Sequence, residues 1–246
     1  MKPLIIITGA SSGIGAATAR LFSQNGHPLL LLARRLEKIQ ALDLPQALCR
    51  KVDVTDYEAL CRAVAEAEQK FGEADAIVNN AGVMLLGDIA TQDPKEWKQM
   101  FDVNILGLLN GMQAVLPGMR ARRGGTIINI SSVAGRKTFP NHGAYCGTKF
   151  GVHAITENAR EESASHNVRM VTIAPGAVET EFSNVRFKGD QDRAKKVYEG
   201  YRPLVAEDIA ECIFFCVNAP DHVQIADMTI FPSAQSDATT IHRRLV

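Results

Sequence analysis

The sequence lacks a surplus of charge of either sign. Its 246 residues include 27 Lys and Arg and 27 Asp and Glu, so the formal net charge is zero. Proteins that bind nucleic acids or anionic membrane surfaces usually carry a basic excess. We therefore expect neither a nucleic-acid partner nor a membrane partner.

Long apolar runs at the start and paired cysteines are also missing. The first apolar run, Leu4–Ile7, is far too short for a signal-peptide core or a membrane span. The five cysteines are odd in number and form no Cys-x-x-Cys pair. Cys212 and Cys216 fit one helix face, but no neighbouring His or Cys completes a metal-binding set. We therefore expect reduced thiols, no metal site and a cytoplasmic protein.

Short apolar, β-branched runs alternate with amphipathic stretches along the whole chain. The runs predict strands at Leu4–Thr8, Leu29–Ala33, Leu48–Val54, Ala76–Asn79, Thr126–Ile130, Arg169–Ala174 and Met228–Phe231. The stretches predict helices at Gly13–Gln24, Leu36–Leu42, Asp56–Phe71, Pro94–Met119, Gly143–Ser165 and Ala206–Asn218. This alternation predicts one α/β domain over residues 1–246, a Rossmann-type, doubly wound, seven-stranded parallel sheet with helices on both faces. Ligands of such sheets bind beyond the carboxyl ends of the strands.

A glycine-rich turn follows the first predicted strand. It reads Thr8-Gly-Ala-Ser-Ser-Gly-Ile-Gly15 and leads into a helix. Glycines allow a tight turn and let backbone N–H groups approach a phosphate at the positive helix end. The alternative is a turn that only connects a strand to a helix. Its position at the first strand–helix junction of an alternating chain favours a dinucleotide site.

The second predicted strand lacks the acid that an NAD site usually has. No Asp or Glu lies between Ala16 and Leu36, and the strand leads into Arg34 and Arg35. NAD sites usually place a carboxylate there, on the ribose 2′-hydroxyl. A guanidinium instead matches a phosphate through two parallel hydrogen bonds. The pattern favours NADP, although two arginines at an exposed helix start remain the alternative.

Tyr145 and Lys149 are separated by one helical turn. On a helix their side chains share one face. A free tyrosine has a pKa of about 10, and a nearby ammonium group lowers it towards the range where a general acid or base works well. The pair has two interpretations: a solvated helix face, or a Lys149 that lowers the pKa of Tyr145 so that Tyr145 exchanges a proton with a substrate oxygen. The motifs in the rest of the chain favour the second.

Further motifs follow the later strands in order. Asp53-Val54 ends the third predicted strand, and Asn79-Asn80-Ala81-Gly82, Ser131-Ser132 and Pro175-Gly176 come at the ends of the fourth, fifth and sixth. With the glycine turn and the Tyr145–Lys149 pair, they make the sequence similar to the short-chain dehydrogenase/reductase family over nearly its whole length. The resemblance implies an NADP-dependent enzyme that transfers hydride between the nicotinamide and a hydroxyl or carbonyl carbon.

The resemblance also implies roles for individual residues. Asn104, Ser132, Tyr145 and Lys149 fall on the family's four catalytic positions, and the spacing to Tyr145 selects Ser132 over Ser131. Ser132 would donate a hydrogen bond to the substrate oxygen, Lys149 would hold the nicotinamide ribose, and Asn104 would kink its helix and hold a water in a proton relay. The cofactor positions correspond to Gly9, Ser11, Ser12, Gly13, Ile14, Gly15, Arg34, Arg35, Asp53, Val54, Asn80, Ala81, Gly82, Tyr145, Lys149, Pro175, Gly176, Val178 and Thr180.

The substrate side leaves two readings open. The stretch Thr180–Asp190 and the tail Ile241-His242-Arg243 are similar to the NADP-dependent 3-hydroxy acid (serine) dehydrogenases of the family. Val83–Gly87 and Lys149–Val152 are similar to its clavaldehyde reductases. A substrate loop is expected at about residues 180–203. It carries Arg186, Lys188, Arg193, Lys195 and Lys196.

Arg186 is the candidate contact for a substrate carboxylate, together with Ser132 and Tyr145 at the reacting oxygen. A charged lid on the surface is the competing interpretation of this basic loop. His142 lies near the site in the sequence, where it could contact substrate, but a surface position is favoured. Cys146 is expected as a small buried residue and Trp97 in helix packing.

A non-catalytic dinucleotide sensor built on the same fold is the alternative class of function. Sensors usually lose one of the four catalytic residues, whereas this chain keeps all four, which favours an enzyme. The two helices Pro94–Met119 and Gly143–Ser165 carry many apolar residues, and the family commonly packs them into dimers and tetramers. We therefore expect a homo-oligomer, a dimer or a tetramer; burial of these apolar residues within one chain is the alternative.

Overall fold

The computed structural model describes residues 2–182, 186 and 196–243. Seven strands in this part of the chain form one parallel sheet with the order β3-β2-β1-β4-β5-β6-β9. They are β1 (Leu4–Thr8), β2 (Leu29–Ala33), β3 (Ala47–Lys51), β4 (Ala74–Asn79), β5 (Thr126–Ile130), β6 (Arg169–Pro175) and β9 (Asp227–Ile230). Two short strands, β7 (Val178–Glu179) and β8 (Leu204–Val205), pair separately. The predicted seven-stranded parallel sheet is confirmed.

Helices cover both faces of this sheet. They are α1 (Gly13–Gln24), α2 (Leu36–Gln40), α3 (Tyr57–Phe71), α4 (Pro94–Phe101), α5 (Gly107–Arg122), α6 (Gly143–Ser163) and α7 (Ala206–Val217). Short 3₁₀ turns occupy Val133–Gly135 and Ala164–His166. None of the helices that the structure describes combines the length and the apolar content needed to cross a bilayer.

Side chains of β1 alternate between two buried clusters. Leu4 and Ile6 belong to the cluster that includes residues of α3, α5 and α6, whereas Ile5 and Ile7 belong to the cluster that includes residues of α1 and α7. A strand that is buried on both faces has no solvent side, so its sequence is apolar throughout. This explains why the apolar runs predicted the strands well.

The order of strands reverses between β1 and β4. Strands β2 and β3 lie on one side of β1, and β4, β5, β6 and β9 lie on the other. Connections that leave in opposite directions open a crevice at the carboxyl ends of the two central strands. The fold therefore places the residues after β1 and β4 at the centre of a ligand site.

The predicted helix Pro94–Met119 is two helices, interrupted at the position where the family resemblance implies a kink. A π-helical turn over Asp102–Leu106 separates α4 from α5. Each π-turn places one extra residue in the helical repeat, and such turns often occur at functional sites. Asn104 lies at the centre of this turn.

The third strand is shorter than predicted and ends at Lys51. Val52 still donates a hydrogen bond to Ala33 O at 3.1 Å. Asp53 then begins a turn, with its carboxylate accepting from Thr55 N at 3.0 Å and Thr55 Oγ1 at 2.8 Å. The polar turn at Asp53 thus takes Val54 out of the sheet.

Candidate active site

A cavity of about 830 Å³ opens at the carboxyl ends of the central strands. Of the predicted site residues, all line it except Gly15 and Asn104, which lie behind its wall. The residues that the sequence predicted from separate motifs are therefore brought together at one place. Residues 183–185 and 187–195, including Lys188, Arg193 and Lys195 of the expected substrate loop, lie outside the described residues.

The glycine turn forms one end of the cavity. Gly9 has φ +65°, a conformation that side chains rarely adopt. A Cβ on Gly15 would lie 2.5 Å from Gly9 O and 2.6 Å from Asn80 Nδ2. Only a residue without a side chain fits between this carbonyl and this amide.

Asn80 ties the turn after β4 to the turn after β1. Its Nδ2 donates to Thr8 O at 3.0 Å and to Gly9 O at 3.2 Å. Thr8 Oγ1 accepts from the backbone N–H groups of Asn80 and Ala81 at 3.0 and 3.1 Å. These bonds fix the two turns that border the crevice.

Cationic side chains stand beside the glycine turn. Arg35 Nη2 donates to Ser11 Oγ at 2.9 Å and to Ser12 Oγ at 3.1 Å. Arg34 is exposed and also lines the cavity. The predicted pair of arginines thus lies where the glycine turn and the end of β2 meet.

The Tyr145 side chain is buried at the other end of the cavity, one turn into α6. Burial raises the pKa of Tyr145 to about 12, and a hydrogen bond with Ser132 and the positive charge of Arg186 act in the opposite direction. Ser132 holds its own place by capping the 3₁₀ turn, since its Oγ accepts from Ala134 N at 3.1 Å. Tyr145 is therefore a protonated phenol at neutral pH, in contact with a hydroxyl group.

Lys149 lies one turn further along α6, as the spacing predicted. Its ammonium group is buried, donates to Ile130 O at 2.8 Å and lies 5.8 Å from the centre of the Tyr145 ring. Burial lowers the pKa of Lys149 to about 8. The expectation that Lys149 lowers the pKa of Tyr145 is not met in this structure, because burial dominates and Arg186 is the cation that opposes it.

Asn104 is buried behind the cavity and holds two chain segments together. Its Oδ1 accepts from Val83 N at 2.8 Å, and its Nδ2 donates to Val83 O at 2.9 Å and to Thr148 Oγ1 at 3.1 Å. The Thr148 hydroxyl in turn donates to Tyr145 O at 2.7 Å. The π-turn thus joins the segment after β4 to the helix that carries Tyr145 and Lys149.

His142 is not the surface residue that the sequence suggested. Its ring is partly buried, lines the cavity and lies three residues before Tyr145. Nδ1 contacts Pro140 O at 2.7 Å and Nε2 contacts Arg186 Nη2 at 3.2 Å. Arg186 comes from a distant part of the chain, so only the fold reveals this contact.

The contacts of Cys146 and Trp97 agree with the packing roles expected for these two residues. Cys146 is buried and packs with Met84, Met100 and Tyr145. Trp97 packs against the same cluster, and its Nε1 donates to Gln92 Oε1 at 2.8 Å. Neither side chain lines the cavity.

Several residues of the cavity wall carry no sequence signal of their own. Gln235 Oε1 accepts from Ala177 N at 2.9 Å and closes the turn after β6. Tyr198 donates to Val178 O at 2.8 Å. Glu181 approaches Arg35, with 3.6 Å between its Oε2 and the Arg35 Nη1. An isolated Gln, Tyr or Glu is ordinary in any sequence. The signals for this wall were the stretch Thr180–Asp190, which contains Glu181, and the tail that ends in Arg243.

The residues present fit a phosphorylated dinucleotide. The glycine turn before α1 presents backbone N–H groups at a helix N-terminus, which suits a pyrophosphate. Arg34 and Arg35 at the end of β2 suit an additional phosphate on the adenosine ribose. Lys149 and Tyr145, at the far end of the same cavity, stand where the reactive ring of such a molecule would be held.

The comparisons with known proteins agree with this geometry. A family model described as short chain dehydrogenase matches residues 3–191. An uncharacterized oxidoreductase of Staphylococcus saprophyticus is 40% identical over 240 residues, covering 95% of this chain and 97% of that protein. An NADP-dependent 3-hydroxy acid dehydrogenase of Schizosaccharomyces pombe is 36% identical over 249 residues, covering 98% and 96%.

A solved structure shares the whole architecture. It is the closed form of a serine dehydrogenase complexed with NADP⁺, which matches with a TM-score of 0.93 and 35% identity. The match covers 98% of this chain and 100% of that one. Since the family model covers more than half of the chain and these relatives match nearly all of it, the chain belongs to the short-chain dehydrogenase family.

Proposed function

We propose that the protein is an NADP-dependent oxidoreductase that interconverts a small 3-hydroxy acid and the corresponding carbonyl compound. Three features support the cofactor: no acid lies between Ala16 and Leu36, Arg34 and Arg35 border the cavity, and two of the three relatives above are described with NADP. NADP, when bound, supplies the nicotinamide that accepts or returns the hydride.

The chain's own residues would handle the proton and the charge. In oxidation Tyr145 takes the proton of the substrate hydroxyl, and in reduction it returns a proton to the carbonyl oxygen. Ser132 donates a hydrogen bond to the same oxygen and stabilises the charge that develops there. Lys149 holds the ribose. Asn104 connects the segment after β4 to α6, the helix that carries Tyr145 and Lys149.

The single observation that carries the acid substrate is the position of Arg186. Its guanidinium lies in the same cavity as Ser132 and Tyr145 and is close enough for its charge to lower the pKa of Tyr145. A guanidinium binds a carboxylate through charge-assisted hydrogen bonds. A hydroxy acid bound with its carboxylate on Arg186 would place its hydroxyl towards Tyr145.

Initial rates with purified protein test this function. NADP and NAD are assayed separately against serine, other small 3-hydroxy acids and simple alcohols, and NADPH against aldehydes and ketones. We expect turnover of 3-hydroxy acids with NADP. Turnover limited to uncharged compounds would refute the acid substrate while leaving the oxidoreductase in place.

A variant pair tests the role of Arg186. We expect Arg186→Ala to raise KM for the hydroxy acid about tenfold or more, because a charge-assisted hydrogen bond is lost. KM for an uncharged alcohol should stay the same. Arg202→Ala is the matched control, since Arg202 is exposed and does not line the cavity. An unchanged KM for the acid in Arg186→Ala would refute the contact.

Reduction of an uncharged aldehyde or ketone is the second candidate. Apolar side chains surround the Tyr145 end of the cavity, among them Met84, Phe139 and Phe182. Such a lining would bind an apolar carbonyl compound by burial alone. The substrate panel above separates this candidate from the first, and a protein that binds NADPH but turns over nothing would indicate a sensor.

We also propose that the protein forms a homo-oligomer through the helices around the π-turn. Phe101, Leu106, Leu109 and Phe150 are large apolar residues exposed on α4, the π-turn, α5 and α6. Such a set suits a surface that a second copy covers. Light scattering after gel filtration should give a multiple of 26.7 kDa for the wild type and a smaller species for Leu109→Glu with Phe150→Glu. A monomeric wild type would refute the proposal.

A further inference from the structure

Glu181 places a carboxylate among the cations at the NADP end of the cavity. Its Oε2 lies 3.6 Å from Arg35 Nη1 and 3.4 Å from Lys38 Nζ. The residue follows β7, far along the chain from α2, so the contact is made by the fold. Glu181 and Arg35 both line the cavity.

Arg35 is held from two sides. Its Nη2 donates to Ser11 Oγ at 2.9 Å and Ser12 Oγ at 3.1 Å on the glycine turn, while its Nη1 faces Glu181. The Arg35 guanidinium therefore connects the glycine turn, which suits a pyrophosphate, with the Glu181 carboxylate. A phosphate that bound to Arg35 would come close to the Glu181 carboxylate.

We infer that Glu181 lowers NADP affinity by competing with the 2′-phosphate for Arg35. The inference rests on the proposed use of NADP. Two negative groups that share one cation repel each other, so a bound phosphate either displaces Glu181 from Arg35 or remains close to its negative charge. Glu181 thus lowers the affinity for NADP relative to NAD below what the basic residues alone would give.

The size of the effect follows from the exposure of the three side chains. Arg35, Lys38 and Glu181 are 45%, 42% and 54% exposed, respectively. Water screens charges at such positions, and exposed pairs change equilibria by up to about fivefold. The effect should also weaken as salt is added, because the Debye length shortens.

Equilibrium binding to the Glu181→Gln variant tests the inference. Dissociation constants are measured by calorimetry for NADPH, NADH, 2′,5′-ADP and 5′-AMP, which differ in pairs by the 2′-phosphate alone. We expect Glu181→Gln to bind NADPH and 2′,5′-ADP about two- to fivefold more tightly than the wild type, with NADH and 5′-AMP unchanged. The gain should shrink when the salt concentration is raised.

Glu179→Gln is the matched control. It removes the same charge two residues away, and Glu179 is exposed and outside the cavity lining. Equal NADPH binding by Glu181→Gln and the wild type, weaker binding by the variant, or the same gain in Glu179→Gln would each overturn the inference. NADH binding doubles as a check on folding, since every contact except the phosphate is common to both cofactors.

The wild type separates this inference from the proposed cofactor. If the wild type binds NADPH and NADH equally well, the proposed preference for NADP fails, and the inference then stands only if Glu181→Gln gains a preference for NADPH. If the wild type prefers NADPH and Glu181→Gln does not increase that preference, the inference alone fails.

Discussion

The Arg186 guanidinium donates a hydrogen bond to the His142 imidazole, with 3.2 Å between Nη2 and Nε2. His142 Nδ1 contacts Pro140 O at 2.7 Å. A neutral imidazole has one N–H and one acceptor nitrogen, so these two partners assign the proton to Nδ1 and leave Nε2 to accept. Burial and then the charge of Arg186 lower the pKa of His142 below its ordinary value, with the Pro140 hydrogen bond acting in the opposite direction.

This contact predicts that hydroxy acid binding weakens in acid. Protonated His142 cannot accept from Arg186 and repels it, so the guanidinium loses its support. We expect KM for a 3-hydroxy acid to be constant around neutral pH and to rise as the pH falls through the lowered pKa of His142. His142→Gln keeps an acceptor without titrating, and its KM should not show this rise. A KM that falls in acid, or an identical rise in the variant, would contradict the prediction.

The charge of Arg186 predicts a shift in the alkaline limb of the rate profile. Positive charge favours the deprotonated form of Tyr145 and lowers the pKa of that group. Oxidation needs the deprotonated form, so its rate should rise with pH, and Arg186→Ala should move the rise to higher pH. Arg186→Lys keeps the charge and should leave the rise near its wild-type position.

The measurement uses kcat/KM for oxidation of an uncharged alcohol, so that loss of carboxylate binding does not enter. A profile that moves to lower pH in Arg186→Ala would contradict the argument. Tyr145→Phe, which lacks the hydroxyl, should show no turnover at any pH.

The buried ammonium group of Lys149 is expected to lower the stability of the protein although activity requires the residue. Its folded-state pKa of about 8 lies below the unfolded value of about 10.4. Between pH 8 and pH 10 the unfolded chain binds more protons at this residue than the folded chain, so the contribution of Lys149 to the free energy of unfolding rises with pH. Below pH 8 the residue is charged in both states, and the buried charge lowers the free energy of unfolding by its full amount. We expect Lys149→Met, without cofactor, to be inactive yet more stable at pH 7 by about 1–3 kcal/mol.

Urea unfolding at several values between pH 7 and pH 10 measures this difference. The gain should narrow as the pH rises from 8 towards 10, because the wild-type ammonium group then loses its proton in the folded state. Lys51→Met, at an exposed position on β3, should give a difference that does not vary with pH. A variant that is less stable than the wild type at pH 7 would show that the hydrogen bond to Ile130 O outweighs the cost of the buried charge.

The parallel sheet and its strands were predictable because burial on both faces leaves a clear pattern. The run Leu4–Thr8 is apolar at every position except its last, and the structure has this strand at the predicted bounds. The site followed from the same regularity, since glycines, Asn80 and Pro175 come where strands end. Local sequence was sufficient to predict a site residue wherever its motif directly adjoins an apolar run that forms a strand.

Contacts between distant segments were not predictable in the same way. The apolar spacing around Asn104 indicates a continuous helix, and only the family resemblance implied a kink there. The π-turn accompanies hydrogen bonds to Val83 and Thr148, which lie in other segments of the chain. Residues His142 and Glu181 each acquire their importance from a partner more than 40 residues away. The pKa of Tyr145 was misjudged for a related reason: spacing places a lysine nearby but does not reveal how deeply both groups are buried.

Alanine substitutions at Gly15 and Gly124 should differ sharply in their effect on stability. A Cβ at Gly15 would lie 2.5 Å from Gly9 O, a backbone atom that Asn80 holds in place, whereas a Cβ at Gly124 would meet nothing within 4 Å. We expect Gly15→Ala to lower the free energy of unfolding by about 1–3 kcal/mol, as for overpacking of a rigid interior. The variant should also bind both NADPH and NADH more weakly, by the same factor. Gly124→Ala should stay within about 0.5 kcal/mol of the wild type. Urea unfolding and cofactor titration of both variants measure this, and equal behaviour of the two would mean that the glycine turn yields easily and does not hold the phosphates rigidly.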